Sequence, residues 1–220
     1  MLIDIPATMT RTRNAIRALG GDVVVFDVGS PATETEVRDI EQRIGRVIPA
    51  TLRRVFREQC RRMRMLWTLD DAGKLSKLLG DSLAGGIDLS LEELPTDLLN
   101  WSGWRAAFEY PAEHGLPVEI TAEDYEELFP LVTATNGDQL VVADPARNPS
   151  DAVMYLNHES GDFNFVILSD RLEDFLNSWI QLGCIGPEWW ELAPFLDLET
   201  FKLSLAVKRS KVWLKKLASA

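Results

Sequence analysis

The chain reads as an α+β protein, and two features of one stretch, Phe129 to Cys184, carry that reading. The first is a succession of short apolar, β-branched segments punctuated by turn residues. The second is a change of apolar period, from about two to about 3.6, at Asp170. That stretch holds no group of residues suited to covalent chemistry, so it is committed to building a sheet and covering it.

The elements can be justified in chain order. A short helix is expected over Arg11–Leu19 and a strand over Asp22–Phe26. Thr33 opens a second helix, with Glu36 three residues on as a capping box and Val37, Ile40 and Ile44 as its apolar stripe. Gly45 ends it. Pro49 suits the first turn of a third helix that directs Leu52, Val55 and Phe56 inward. Met65–Leu69 and Gly86–Leu89 read as strands on either side of a short helix, Gly73–Leu79. Leu91–Tyr110 is mostly helical, interrupted near Pro95 and Ser102-Gly103. Asn136-Gly137 between Leu131–Thr135 and Gln139–Ala143 predicts a hairpin with a type I′ turn. Glu159–Asp162 separates Val153–Asn157 from Phe163–Leu168, where Phe163, Phe165 and Ile167 share a face. Asp170 can cap the next helix with Glu173 reaching back, Leu172, Phe175, Leu176, Trp179 and Leu182 form its stripe, and Gly183 ends it. GPEWWELAPFLD reads as a loop. For the last segment, a strand over Phe201–Val207 and a helix over residues 210–218 both remain open.

Composition narrows the function classes. The 220 residues, 46% of them apolar and 26% charged, suit one domain with a full core. No run approaches the ~18–20 apolar residues of a membrane helix, and the start lacks the apolar segment of a secretory signal. Cys60 and Cys184 match no metal or redox spacing and are expected to be buried thiols in a reducing compartment, so a cytoplasmic location is expected. The net charge of −11 is uneven: residues 1–64 carry +4, residues 65–200 carry −21 and residues 201–220 carry +6. Such a field repels phosphates, which argues against a direct nucleic-acid ligand, and it speeds encounter with a basic partner.

Three passages resemble one family. PATETEVRDIEQRIGRVIPATLRRVFRE (Pro31–Glu58) pairs an acidic helix and a glycine with a hydrophobic-proline step and a further helix. GGIDLSLEEL (Gly85–Leu94) is similar to a short strand leading into a helix. FPLVTATNGDQLVVAD and AVMYLNHESGDFNFVILSDRLEDFLNSWI carry Gly137-Asp138, a His158-Glu159 turn and a closing Phe175-Leu176 helix. Together they resemble the SUKH superfamily, the Smi/Knr-type domain, over residues 30–184. One departure is EQCRRMRMLW (Glu58–Trp67), where relatives commonly carry an Asn-Gly turn. The resemblance implies a mixed, largely antiparallel sheet of about five to six strands flanked by helices. It frames residues 1–29 as a helix-strand extension and 185–220 as a Trp-rich, basic one. It also implies a non-enzymatic protein-binding module, either a bacterial immunity protein that neutralises an enzymatic toxin or a regulatory scaffold without a toxin.

Residues with the makings of catalytic chemistry are few. His114 and His158 sit in turn-like sequence without metal-ligand spacing, and neither a Gly-x-Ser-x-Gly elbow nor a phosphate loop occurs. No catalytic, cofactor or metal residues are therefore assigned. Candidate partner contacts are the acidic run Glu119, Glu123, Asp124, Glu126 and Glu127, together with Asp138, Asp144, Trp189 and Trp190. The run also reads as a solvated face, and Asp138 and Asp144 as turn residues. Either tryptophan of the adjacent pair could anchor an interface. Arg53, Arg54, Arg57, Arg61, Arg62 and Arg64 lack stacking aromatics beside them and are expected to pair within the protein.

Overall fold

The computed structural model describes residues 2–107, 128–143, 151–157 and 166–220. Among them are eight α-helices and two antiparallel sheets of three and four strands. The α+β expectation therefore holds. The single sheet of five to six strands is corrected to two sheets, and the parallel pairing among the described residues is one isolated bridge, Gly85 to Gly186.

Helix α1 (Ile5–Ala18) starts six residues before the expected Arg11, because Asp4 caps it and Pro6 fits its first turn. Its buried face is Ile5, Met9, Thr12 and Ile16. Strand β1 spans Asp22–Val28. Helix α2 (Glu34–Ile44) carries the expected capping box between Thr33 and Glu36 and ends at Gly45, where φ is +65°. Helix α3 (Ala50–Glu58) buries Leu52, Val55 and Phe56, with Pro49 just ahead of its first turn. Just after α3, Cys60 drops into the core.

Strands β2 (Arg62–Asp70) and β3 (Ser82–Ser90) are longer than expected and flank the short helix α4 (Ala72–Leu75) and a single 3-10 turn at Lys77–Leu79. Strict alternation in β2 turns Met63, Met65, Trp67 and Leu69 inward. Opposite them lie Leu89, Ile87, Gly85 and Leu83. Gly85 faces Trp67, and a Cβ there would stand 2.4 Å from the indole nitrogen, so glycine is what lets the ring lie flat on β3. The free edge of β3 is covered by the Cys184–Gly186 segment, with Gly86 N–H donating to Cys184 O at 2.9 Å.

Helix α5 (Leu94–Ala107) runs unbroken through Ser102-Gly103. Pro95 falls in its first turn, where no intrahelical bond is lost, and the Ser102 hydroxyl returns a bond to Leu99 O. The second sheet joins β4 (Phe129–Thr133), β5 (Gln139–Val142), β6 (Val153–Leu156) and β7 (Val166–Ser169). Both faces of it are covered. Leu140, Val142, Val153 and Tyr155 face the main core, and Val141, Met154 and Leu156 form a second cluster with Trp101 and Leu128.

The Asn136-Gly137 turn differs from the type I′ expectation. Gly137 alone has positive φ, at +95°. Gly137 N–H donates to Ala134 O and Ala134 N–H to Asp138 O, the pattern of a three-residue loop with a bulge glycine. In β7, Leu168 is buried and Ile167 is 42% exposed, so Ile167 lies on the outer face; Phe163 and Phe165 lie outside the described residues.

Helix α6 (Leu172–Gln181) buries Leu172, Phe175, Leu176 and Trp179, each worth about 1.5–3 kcal/mol of apolar burial. Its expected cap is corrected. Asp170 is exposed and bonds Lys202, while Glu173 is buried and paired with Arg54 of α3. A tertiary cation displaces the local capping box. Helix α7 (Trp189–Leu192) and a 3-10 turn at Ala193–Phe195 replace the expected loop, and α8 (Lys208–Ser219) settles the final segment as helical. Ile5, Met9 and Ile16 of α1 and Trp213 of α8 belong to the same core as the sheets. Both terminal segments are thus part of the packed body.

Candidate functional site

A polar cleft opens where the outer face of the first sheet meets α5 and β4. The alternation that sends Met63 and Met65 inward sends Arg62 and Arg64 outward. Antiparallel register sets Arg62 opposite Ser90 and Arg64 opposite Asp88. After β3 the chain turns into α5, whose start brings Glu93 and Asp97 to one side at a four-residue spacing, the Asp97 N–H donating to Glu93 O at 3.0 Å. Pro130–Thr133 of β4 form the far wall of a cavity of about 500 Å³.

Its charges are not balanced locally. Arg64 is held by Asp88 at 2.9 Å, and Arg62 by Asp27 at 2.9 Å and Glu92 at 3.8 Å. Both guanidinium groups are thereby occupied. Glu93 and Asp97 meet no cation within ion-pair distance among the described residues. Burial, and then the like charges of Asp88 and Glu93, push the Asp97 carboxyl up to about 6. At neutral pH the cleft holds a carboxylate against its surroundings, and an incoming ammonium or guanidinium group would relieve that cost.

The other arginines singled out in the sequence are likewise paired internally. Arg53 and Arg57 converge on Glu34, Arg54 reaches Glu173, and Arg61 reaches Glu36 and Glu92. These partners come from the N-terminal helices as well as from the acidic middle of the chain.

The sequence candidates separate sharply. Asp138 is only 2% exposed; it accepts from the Tyr155 hydroxyl and from Asn136 Nδ2 at 2.7 Å. It braces the hairpin loop from beneath, which removes it from any contact surface. Trp189 is half-buried and packs on Tyr155 with ring centroids 5.1 Å apart. Trp190 is 62% exposed. Glu119, Glu123, Asp124, Glu126, Glu127 and Asp144, with His114 and His158, lie outside the described residues. Both thiols are free and buried, with Cys60 pushed up to about 12 by burial, so neither is poised as a nucleophile. No group of three His, Cys, Asp or Glu side chains among the described residues is arranged to hold a metal ion.

Sequence reading passed over Asp88, Glu93 and Asp97. The available signal was the pair of carboxylates four apart at a helix start, but a helix N-terminus ordinarily favours such charges and gives no sign of burial. No family model matches this chain, and no curated protein is significantly similar to it. No described helix is long and apolar enough to cross a membrane.

Proposed function

We propose that this chain is a non-enzymatic, SUKH-like protein-binding module that acts as a bacterial immunity protein. It neutralises a basic enzymatic toxin by covering that toxin's cationic surface with an acidic one. The observation that carries the reading is the pair of uncompensated carboxylates, Glu93 and Asp97, beside arginines that are already occupied. A lysine or arginine of the partner entering this cleft would gain a charge-assisted contact without first breaking an internal pair. The net charge of −21 over residues 65–200 supports steering of such a partner. Glu119, Glu123, Asp124, Glu126, Glu127 and Asp144 belong to this proposal through their charge, and Trp190 through its exposure.

Co-expression of the chain with candidate basic toxin enzymes drawn from its gene neighbourhood tests the reading. Rescue of growth, a complex that weakens as salt rises, and loss of both in E93K/D97K are the expected results. Growth arrest despite expression of the folded chain would overturn it, as would a complex indifferent to salt and to E93K/D97K.

A further inference from the structure

A second surface has the opposite charge. Helices α1 and α8 pack side by side. Together they contain eight basic residues and no acidic one, Arg11, Arg13 and Arg17 on α1 and Lys208, Arg209, Lys211, Lys215 and Lys216 on α8. With the chain at −11 and these two helices at +8, everything else carries −19. Seven arginines elsewhere, Arg38, Arg53, Arg54, Arg57, Arg61, Arg62 and Arg64, are tied to carboxylates. Arg11, Arg17, Lys208, Lys211 and Lys215 are exposed and meet no carboxylate within ion-pair distance among the described residues. Among the described residues these five cations thus stay unmatched in a protein rich in carboxylates.

The two helices also enclose a groove of about 570 Å³. Its walls include Thr8, Arg11 and Ala15 on α1 and Leu214, Leu217 and Ala218 on α8. Helical spacing aligns the features: Lys211, Leu214 and Ala218 follow three- and four-residue steps, as do Thr8, Arg11 and Ala15. Arg11 is the basic residue of the lining, and Lys211 stands one turn before Leu214 on the same side of α8, outside the lining. Leu214 and Leu217 are half-buried and rest on the core, so the apolar strip is recessed.

We propose that the α1–α8 groove docks an acidic amphipathic helix of another protein. Such a helix lays an apolar stripe along Leu214, Leu217 and Ala15 while its flanking glutamates meet Arg11 and Lys211. A nucleic-acid backbone would satisfy the cations but leave the apolar strip unused. A membrane would need protruding apolar or aromatic side chains, whereas these leucines are recessed. A second copy paired about a two-fold axis would set basic face against basic face. The proposal is independent of the acidic cleft, so the chain would bind partners of opposite charge on separate faces.

The test is a fluorescence-anisotropy titration of the full chain against a labelled helical peptide with leucines at i, i+3, i+4 and i+7 and glutamates between them. Saturable binding is expected, at least about tenfold weaker for R11E and for A218D, and unchanged for R43E, which makes the same single charge reversal on α2. Circular dichroism checks that each variant is folded. Failure of the native chain to saturate would overturn the proposal. Equal loss in R43E would reduce it to bulk charge and overturn it as well. Tighter binding to a DNA duplex or to phosphatidylserine vesicles than to the peptide would overturn the choice of occupant.

Discussion

Trp67 and Trp213 stack with ring centroids 5.7 Å apart and planes inclined by 19°, and their indoles donate to adjacent carbonyls, Gly183 O and Leu182 O. Trp179 donates to Ile185 O in the same turn. Three tryptophans from β2, α6 and α8 thus satisfy carbonyls of the turn that follows helix α6, whose own last carbonyls accept from the N–H groups of Leu182, Gly183 and Cys184. The backbone there takes positive φ at Gly183 (+79°) and Cys184 (+54°), and then pairs with β3. This turn is where the C-terminal helix, the first sheet and α6 are fastened together.

Loss of Trp213 should be felt by the whole protein. Trp213→Ala removes a fully buried ring and a hydrogen bond, and is expected to cost about 3–5 kcal/mol. Trp213→Phe keeps an aromatic contact and is expected to cost less, about 1–3 kcal/mol. Urea unfolding followed by far-ultraviolet circular dichroism should give one cooperative transition in both variants. A separate early transition for α8 would contradict a shared core.

Gly85→Ala should destabilise through collision. Its Cβ would sit 2.4 Å from Trp67 Nε1 and 2.7 Å from Gly183 O, so the stack and the turn must both shift, at about 3 kcal/mol. Gly45→Ala meets open space and only the penalty of positive φ, about 1 kcal/mol. Thermal melts of the two variants should fall in that order.

Glu34 joins α2 to α3 by accepting from Arg38, Arg53 and Arg57. Its removal strands guanidinium groups, and Arg57 Nε is already buried without a partner. Glu34→Ala is expected to cost about 1–2 kcal/mol, against less than about 0.5 kcal/mol for the exposed Glu58→Ala. Added salt should narrow that gap, as measured by urea midpoints.

Asp97 should give the fold a pH dependence of unusual sign. Its folded pKa, about 6, lies above the unfolded value of 3.8, so the native state binds the proton more tightly. Its contribution is fully present below about pH 4 and is lost as pH rises through about 6. Asp97→Asn should remove that slope and exceed the native protein's stability above pH 6 by about 1 kcal/mol, a linkage value reduced because water reaches part of the group. Stability measured from pH 4 to 7 in both proteins checks the sign.

Local rules were legible wherever a few neighbouring residues carry the whole signal. The Thr33–Glu36 box, the glycine at 45, the inward triad Leu52, Val55 and Phe56, and the stripe of α6 all stand where the sequence places them. Short-range sterics and hydrogen bonding suffice for these. The type I′ turn failed because Asn136 keeps negative φ when Asp138 and Tyr155 brace the loop from below. The Asp170 cap failed because Arg54, far away in sequence, claims Glu173.

By itself, then, the sequence determined the α+β class, the order of most elements, the apolar faces and the uneven charge, because each is a matter of period, propensity and composition. Tertiary structure alone decided that two sheets form and that both ends of the chain enter one core. It alone decided which carboxylates pair, since an ion pair depends on distance across the fold, and register brings Arg64 to Asp88 while Glu93 and Asp97 meet no cation among the described residues.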